Sequence, residues 1–264
     1  MATLKQISDF LDKELKIKSI PDSSRNGLQV ISSIKDLKKE VKRVGFAVDA
    51  CLTTFEKAKK AKVDLLIVHH GLLWRKRKKD HGLLKRRISF LMRNQIALYA
   101  SHLPVDKNEK YGNNIVLFKM LEKIGLQSKS LKKFGIYKSQ SIGYMGRFKR
   151  PVKPAFLART LNACLKTKCR TACKDLSARK NIQTIGIISG RGSSLLDQVE
   201  KKNLDCYFTG EICHEDVCEA RDRNILIITA GHYATETVGV KALMPLLKQK
   251  FNIEPIFIED NTNL

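Results

Sequence analysis

The chain reads as an α/β protein made of two related halves, and three observations carry that prediction. Val44–Ala50 (VGFAVDA), Cys51–Lys62 (CLTTFEKAKKAK) and Val63–His70 (VDLLIVHH) follow one another as strand, helix and fully buried strand. This is the β-α-β order whose crossover favours parallel pairing. The same order returns in Thr184–Gly190 (TIGIISG), Ser193–Asn203 (SSLLDQVEKKN) and Leu204–Glu211 (LDCYFTGE), so that Asp64 to His70 is matched by Asp205 to Glu211. Each copy is then followed by another apolar stretch, NQIALYAS or RNILIITA, and by a histidine with an acid four residues on: His102 with Asp106, and His232 with Glu236. The halves are expected as residues 1–125 and 126–264, with mixed or parallel sheets.

Taken in order, the N-terminus MATLKQISDFLDKELKI spaces Leu4, Ile7, Leu11 and Leu15 for an amphipathic helix. The first β-α-β unit and its third strand complete the first half. Between them lies a basic block, RKRKKDHGLLKRR from Arg75 to Arg87, where the first copy is longer than the second. Residues 126 to 180 form a connecting region that begins the second half and contains a helix, PAFLARTLNACLK, and little readable chemistry. The second β-α-β unit follows, and SGRGSS within it (Ser189 to Ser194) is a weak candidate for a phosphate-cradling turn. A plain turn with a helix cap from Ser193 or Ser194 is the simpler expectation there.

Composition narrows the class. A chain of 264 residues with 43% apolar and 29% charged residues buries a real core as one large or two small domains. No apolar run reaches eighteen residues and the N-terminus carries acids, so a cytoplasmic protein is expected. Seven cysteines in such a chain are expected as reduced thiols. Cys164, Cys169 and Cys173 lack a CxxC pair and a neighbouring histidine, which argues against a zinc site there.

The net charge of +24 raises a nucleic-acid partner. The lysines, however, are spread along the whole chain without interleaved aromatics, and no helix-turn-helix, zinc-finger or RNA-recognition signature is present. A solvated surface is the expectation, and a small-molecule substrate is the expected partner ahead of nucleic acid.

Chemistry concentrates at the ends of the strands, where parallel α/β folds gather their ligands. His69 and His70 end one strand, and His102 and His232 follow others. Gly71 supplies turning freedom to aim the adjacent pair, and a short loop around Pro104 carries His102 and Asp106. Mixed imidazole and carboxylate donors suit zinc, iron, manganese or nickel. From spacing alone, metal ligation and a structural, hydrogen-bonded role are equally open, and His81 in the basic block belongs with the structural or surface histidines. Glu211 and His214 fall, by the repeat, where the first half has its histidine pair, and so border the same chemistry.

Five ordered motifs, NGLQV (Asn26–Val30), HHG, HLPVD followed by YGNN, TGE (Thr209–Glu211) and GHYATE, resemble the Nif-three-like family. Its members are also called GTP cyclohydrolase I type 2 homologs or domain of unknown function 34. The likeness spans nearly the whole chain and is to the short bacterial form. It implies two intertwined α/β halves and a toroidal homohexamer. It also implies two divalent metal ions per chain, held by His69, His70, Asp106, His232 and Glu236, with Glu236 able to bridge. His102 lies outside that ligand set and is expected as the proton-transferring catalytic group. A metal-dependent hydrolase of a small anionic or nucleotide-like substrate follows, with a non-enzymatic metal-handling or interaction protein as the alternative.

Overall fold

The computed structural model describes residues 2–75, 80–173 and 181–262. The chain divides into two compact units, Met1–Tyr111 with Gly239–Asp260, and Gly112–Val238 with Asn261–Leu264.

Unit 1 opens with helix α1 (Leu4–Glu14), whose Thr3 and Gln6 form a reciprocal capping box. Its sheet takes β1 (Gly27–Val30), β2 (Arg43–Asp49), β3 (Leu65–His70), β4 (Ala97–Ala100) and the C-terminal β11 (Glu254–Phe257) in the order β1-β4-β3-β2-β11. All neighbours run parallel except the β1–β4 pair. Helices α2 (Leu52–Lys60) and α3 (His81–Arg93) connect the strands, and the one-turn α4 (Leu103–Lys107) follows β4. Alternation along β3 explains its unbroken apolar run: Leu65 and Ile67 pack with Ile7 and Leu11 of α1, whereas Leu66 and Val68 pack with Phe55 of α2 and Leu91 of α3. A strand covered on both faces needs no polar side.

Unit 2 contains α5 (Asn113–Glu122), β5 (Lys132–Tyr137), β6 (Gln140–Val152), α6 (Pro154–Leu165) and β7 (Arg170–Ala172). These are followed by β8 (Ile182–Arg191), α7 (Leu196–Lys201), β9 (Cys206–Glu211), α8 (His214–Asp222) and β10 (Leu226–Thr229). The sheet order is β5-β6-β8-β9-β10-β7, with parallel β8-β9-β10 at its centre and antiparallel strands outside. Helix α9 (His232–Phe251) starts in unit 2, and its later turns supply Leu243 and Leu247 to the unit 1 core.

The internal repeat is structural. β2-α2-β3-α3-β4 and β8-α7-β9-α8-β10 have the same order and the same parallel pairing. Asp64 Oδ2 accepts from the backbone N of Lys42 and Arg43, as Asp205 Oδ2 accepts from those of Gln183 and Thr184. Each acid ties the start of its strand to the start of the preceding one.

Two expectations take a different form. The units part at Tyr111 and Gly112 because α5 buries Ile115, Leu117, Phe118 and Leu121 in the unit 2 core. The C-terminus joins unit 1 because β11 pairs with β2. The connecting region supplies β5, β6 and β7 to the second sheet, and its helix α6 begins with Pro154 in the first turn, as expected. Of the basic block, residues 76–79 lie outside the described residues, and His81 is exposed at the start of α3. Among the described residues, no helix is long and apolar enough to cross a membrane.

Candidate metal centre

In unit 1 the end of β3 and the start of α4 bring three imidazoles together. The ring centroids of His69 and His70 are 4.6 Å apart, and that of His102 lies 5.1 and 5.6 Å from them. One ring nitrogen of each lies within 4.8 Å of the other two, so this cluster could hold a metal ion. The Nδ1 atom of every ring is tied to an acceptor: His69 to Ser101 O (3.1 Å), His70 to Asp49 Oδ1 (2.8 Å) and His102 to Asp22 Oδ1 (3.0 Å). An Nδ1–H that donates to these oxygens makes Nε2 the basic nitrogen, the arrangement typical of metal-ligating histidine. Buried Asp106 puts Oδ2 3.6 Å from His69 Nε2.

The surroundings fix this geometry. HLPVD is not a loop: His102 is the N-cap of α4, with Pro104 in the first turn, and its carbonyl accepts from the N of Val105 and of Asp106. His102 and Asp106 therefore share one helical face. NGLQV braces the same place. Asn26 Oδ1 accepts from His102 N (2.8 Å), and Gln29 Oε1 accepts from Leu72 N (2.8 Å). The Trp74 ring stands 5.0 Å from His102, its Nε1 donating to Gly71 O. Gly71 serves by size and not by turning freedom, since its φ is not positive and a Cβ there would run into Ala100 and Gln29.

Asp22 anchors the group. Its side chain, 2% exposed, accepts from Ser24 N, Asn26 Nδ2, Leu103 N and His102 Nδ1. Burial acts to raise its carboxyl, but the His102 hydrogen bond and charge, with Asn26 and Ser24, outweigh burial and hold it well below the usual carboxylate range.

Unit 2 repeats the logic at the start of α9. His232 Nδ1 lies 3.1 Å from Glu211 Oε1 at the end of β9, and His232 Nε2 lies 3.1 Å from Glu236 Oε2 one turn on. Burial acts to lower the His232 imidazolium, yet Glu236 and Glu211 outweigh it and push the group up to about 9. Glu236 is buried, and Gly190 of SGRGSS permits its position: the φ of Gly190 is +62°, and a Cβ there would overlap Glu236 Oε1. SGRGSS is thus a close-packing turn, and no serine side chain caps the turn or helix that follows.

Within its own unit, each sequence-derived donor stands beside another, His69, His70, His102 and Asp106 in the first and His232 and Glu236 in the second. Asp22 and Asp49 escape the sequence reading, and Glu211 proves to orient His232. Asp49 was detectable, because it ends β2 and lies in register with His70 across the parallel pair. Asp22 carries no local signal. Asn114 of YGNN is structural, accepting from Ser189 N and donating to Ile142 O. All seven cysteines are free, and burial pushes the Cys169 thiol up to about 12, far from a thiolate ligand.

These features define an internally repeated α/β protein whose buried histidine and carboxylate clusters suit a divalent metal. The family model for Duf34/NIF3 (NGG1p interacting factor 3) matches residues 2–264, and the chain belongs to this family. A GTP cyclohydrolase 1 type 2 homolog of Pyrococcus abyssi is 40% identical over 259 residues, covering 98% of each chain. One of Archaeoglobus fulgidus is 35% identical and covers 99% of each. These relatives are archaeal, so the likeness extends beyond the bacterial form named by the motifs. Among solved structures, a Thermus thermophilus protein has a TM-score of 0.83 at 35% identity over the whole of both chains. Reduced HcgD from Methanocaldococcus jannaschii has 0.82 at 26% identity over 98% of each.

Proposed function

We propose that the chain is a metal-dependent hydrolase of a small anionic, nucleotide-like substrate, with two divalent ions held by His69, His70, Asp106, His232 and Glu236. One observation carries this: four histidines at strand ends each have Nδ1 tied to a carboxylate or carbonyl oxygen within their own unit. Such a bond leaves Nε2 as the basic nitrogen, so His69, His70 and His232, with Asp106 and Glu236, present a donor set for zinc, iron, manganese or nickel, and His102 is oriented in the same way beside it.

Divalent ions held by such donors act as Lewis acids and make water a nucleophile near neutral pH. The residues do the rest. Asp49, Ser101 and Glu211 orient the imidazoles of His70, His69 and His232. The two oxygens of Glu236 suit it to bridge. Asp22 fixes His102 through Nδ1, leaving its Nε2 to take the proton of the attacking water and return it to the leaving group. The substrate class rests on the names of the relatives, GTP cyclohydrolase 1 type 2 homologs. The family resemblance adds a ring of six copies, which native mass spectrometry tests as six times the chain mass.

The test is elemental analysis of purified protein, followed by a hydrolysis screen over nucleotides and small phosphate or amide compounds. Two equivalents of metal and turnover lost on chelation are expected. Metal without turnover on any compound would favour the metal-handling alternative, and protein with no metal after reconstitution would sink both.

A further inference from the structure

The stretch after α6 forms one wall of a cleft of about 760 Å³ in unit 2. Lys166 and Lys168 line it from the turn between α6 and β7, Arg170 from the start of β7, Glu211 and Ile212 from the end of β9, and Tyr233 from the first turn of α9. The topology explains the meeting. Lys166 ends α6 in a left-handed conformation (φ 52°), which sends the chain back as β7, antiparallel to β10, with Arg170 opposite Thr229 at the carboxyl end of β10. The cations therefore stand where parallel strands run out, the usual place for ligands in such sheets.

Charge decides what the cleft takes. Lys166, Lys168 and Arg170 are exposed, and none forms an ion pair among the described residues. Glu211, the one acid among the described lining residues, already faces His232. Three cations against one committed carboxylate attract an anion, and the α9 helix start adds to that field. The volume lies within the range of about 300–1,000 Å³ usual for small-molecule sites, too small for a duplex. Ile212 and Tyr233 give a wall for an organic body.

We infer that this cleft binds a phosphomonoester of mononucleotide size, with Lys166, Lys168 and Arg170 holding the phosphate and Ile212 and Tyr233 flanking the remainder. Naming that molecule as substrate rests on the hydrolase proposal; the anion site itself does not. Glu211 lines the cleft and orients His232, so a molecule seated there meets the carboxylate that holds that histidine.

Calorimetric titration of the full chain with GMP, guanosine and a twelve-nucleotide oligomer, with and without metal, tests the inference. GMP should bind the metal-free protein at least tenfold more tightly than guanosine, since each charge-assisted contact is worth about tenfold or more. The double variant Lys168→Gln, Arg170→Gln should weaken GMP by about a hundredfold with unchanged metal content. Lys168→Arg should bind as wild type does. Equal binding of guanosine and GMP, tighter binding of the oligomer, or an unaffected double variant would overturn the inference. GMP binding without hydrolysis by the loaded protein would keep the cleft and count against the hydrolase. Hydrolysis with an unchanged KM in the double variant would do the reverse.

Discussion

Replacing Asp22 by Asn asks whether a carboxylate, and not merely a shape, holds His102. Oδ1 accepts from Ser24 N at 3.1 Å and His102 Nδ1 at 3.0 Å, while Oδ2 accepts from Asn26 Nδ2 and Leu103 N, both at 3.0 Å. An amide has one oxygen. With its NH2 group in the place of Oδ2 it faces Asn26 Nδ2 and Leu103 N; in the place of Oδ1 it faces Ser24 N, while His102 Nδ1 keeps the remaining oxygen at 3.1 Å, so one or two hydrogen bonds to a charged acceptor disappear. At about 1.5 kcal/mol each, the low end for charged acceptors because the loop can relax, the loss is about 1.5–3 kcal/mol. For a chain of this size that lowers Tm by about 3–12 °C. The pH dependence has a fixed sign. A carboxyl held below its ordinary value stabilises the fold fully above its unfolded-state pKa of about 4, and that contribution fades as pH falls from there through the folded-state value. The gap between wild type and Asp22→Asn should hold from about pH 8 to 5 and narrow below about pH 4. Circular-dichroism melts of chelator-treated protein across that range measure it. A Tm difference under about 2 °C at pH 7, or a gap that widens in acid, would refute the reasoning.

His102→Ala should keep both ions while lowering hydrolysis about a hundredfold or more, the scale of a positioned acid or base, and loss of an ion would make His102 a ligand. Glu236→Gln should release more metal than Asp106→Asn, because a bridging carboxylate holds two ions and a terminal one mainly one; equal retention in elemental analysis would argue against bridging. With His232 pushed up to about 9, a metal ion must displace its proton, so apparent affinity should fall as pH drops below that value, by up to about tenfold per unit in a competition titration. Duplex DNA should bind weakly and be released between about 50 and 200 mM salt; sequence-dependent binding at the higher salt would make nucleic acid the primary partner.

Much of the fold was legible because its signals are local. The β-α-β order, the amphipathic α1 and the Pro-initiated α6 follow from periodicity, and the acids at the strand starts, Asp64 and Asp205, were already aligned by the repeat. The donors were legible for the same reason, since histidines beside glycine at the end of an apolar run are conspicuous. What orients them was not. Asp22 lies far along the chain from His102, and an acid in SIPDSSRNG looks like any turn residue until the fold places four donors around it. Arg170 is equally mute in sequence: nothing in KTKCR tells that antiparallel pairing will set it against Thr229.

The two copies of the repeat divide their labour at equivalent positions. β3 ends in His69 and His70 where β9 ends in Gly210 and Glu211, so one strand end offers donors and the other an orienting carboxylate. The following helices keep the same histidine-to-acid spacing, yet their histidines are oriented differently. His102 is held by Asp22 from a preceding loop, whereas His232 is held by Glu211 from the adjacent strand end. Because Glu211 occupies the position of His70, the second copy has its orienting acid where the first has a donor, and needs no counterpart of Asp22. The cleft of unit 2 is lined by Glu211, while in unit 1 the Trp74 ring stands 5.0 Å from His102. A substitution such as Glu211→Gln should therefore disturb both His232 and the cleft, whereas Asp49→Asn should disturb His70 alone.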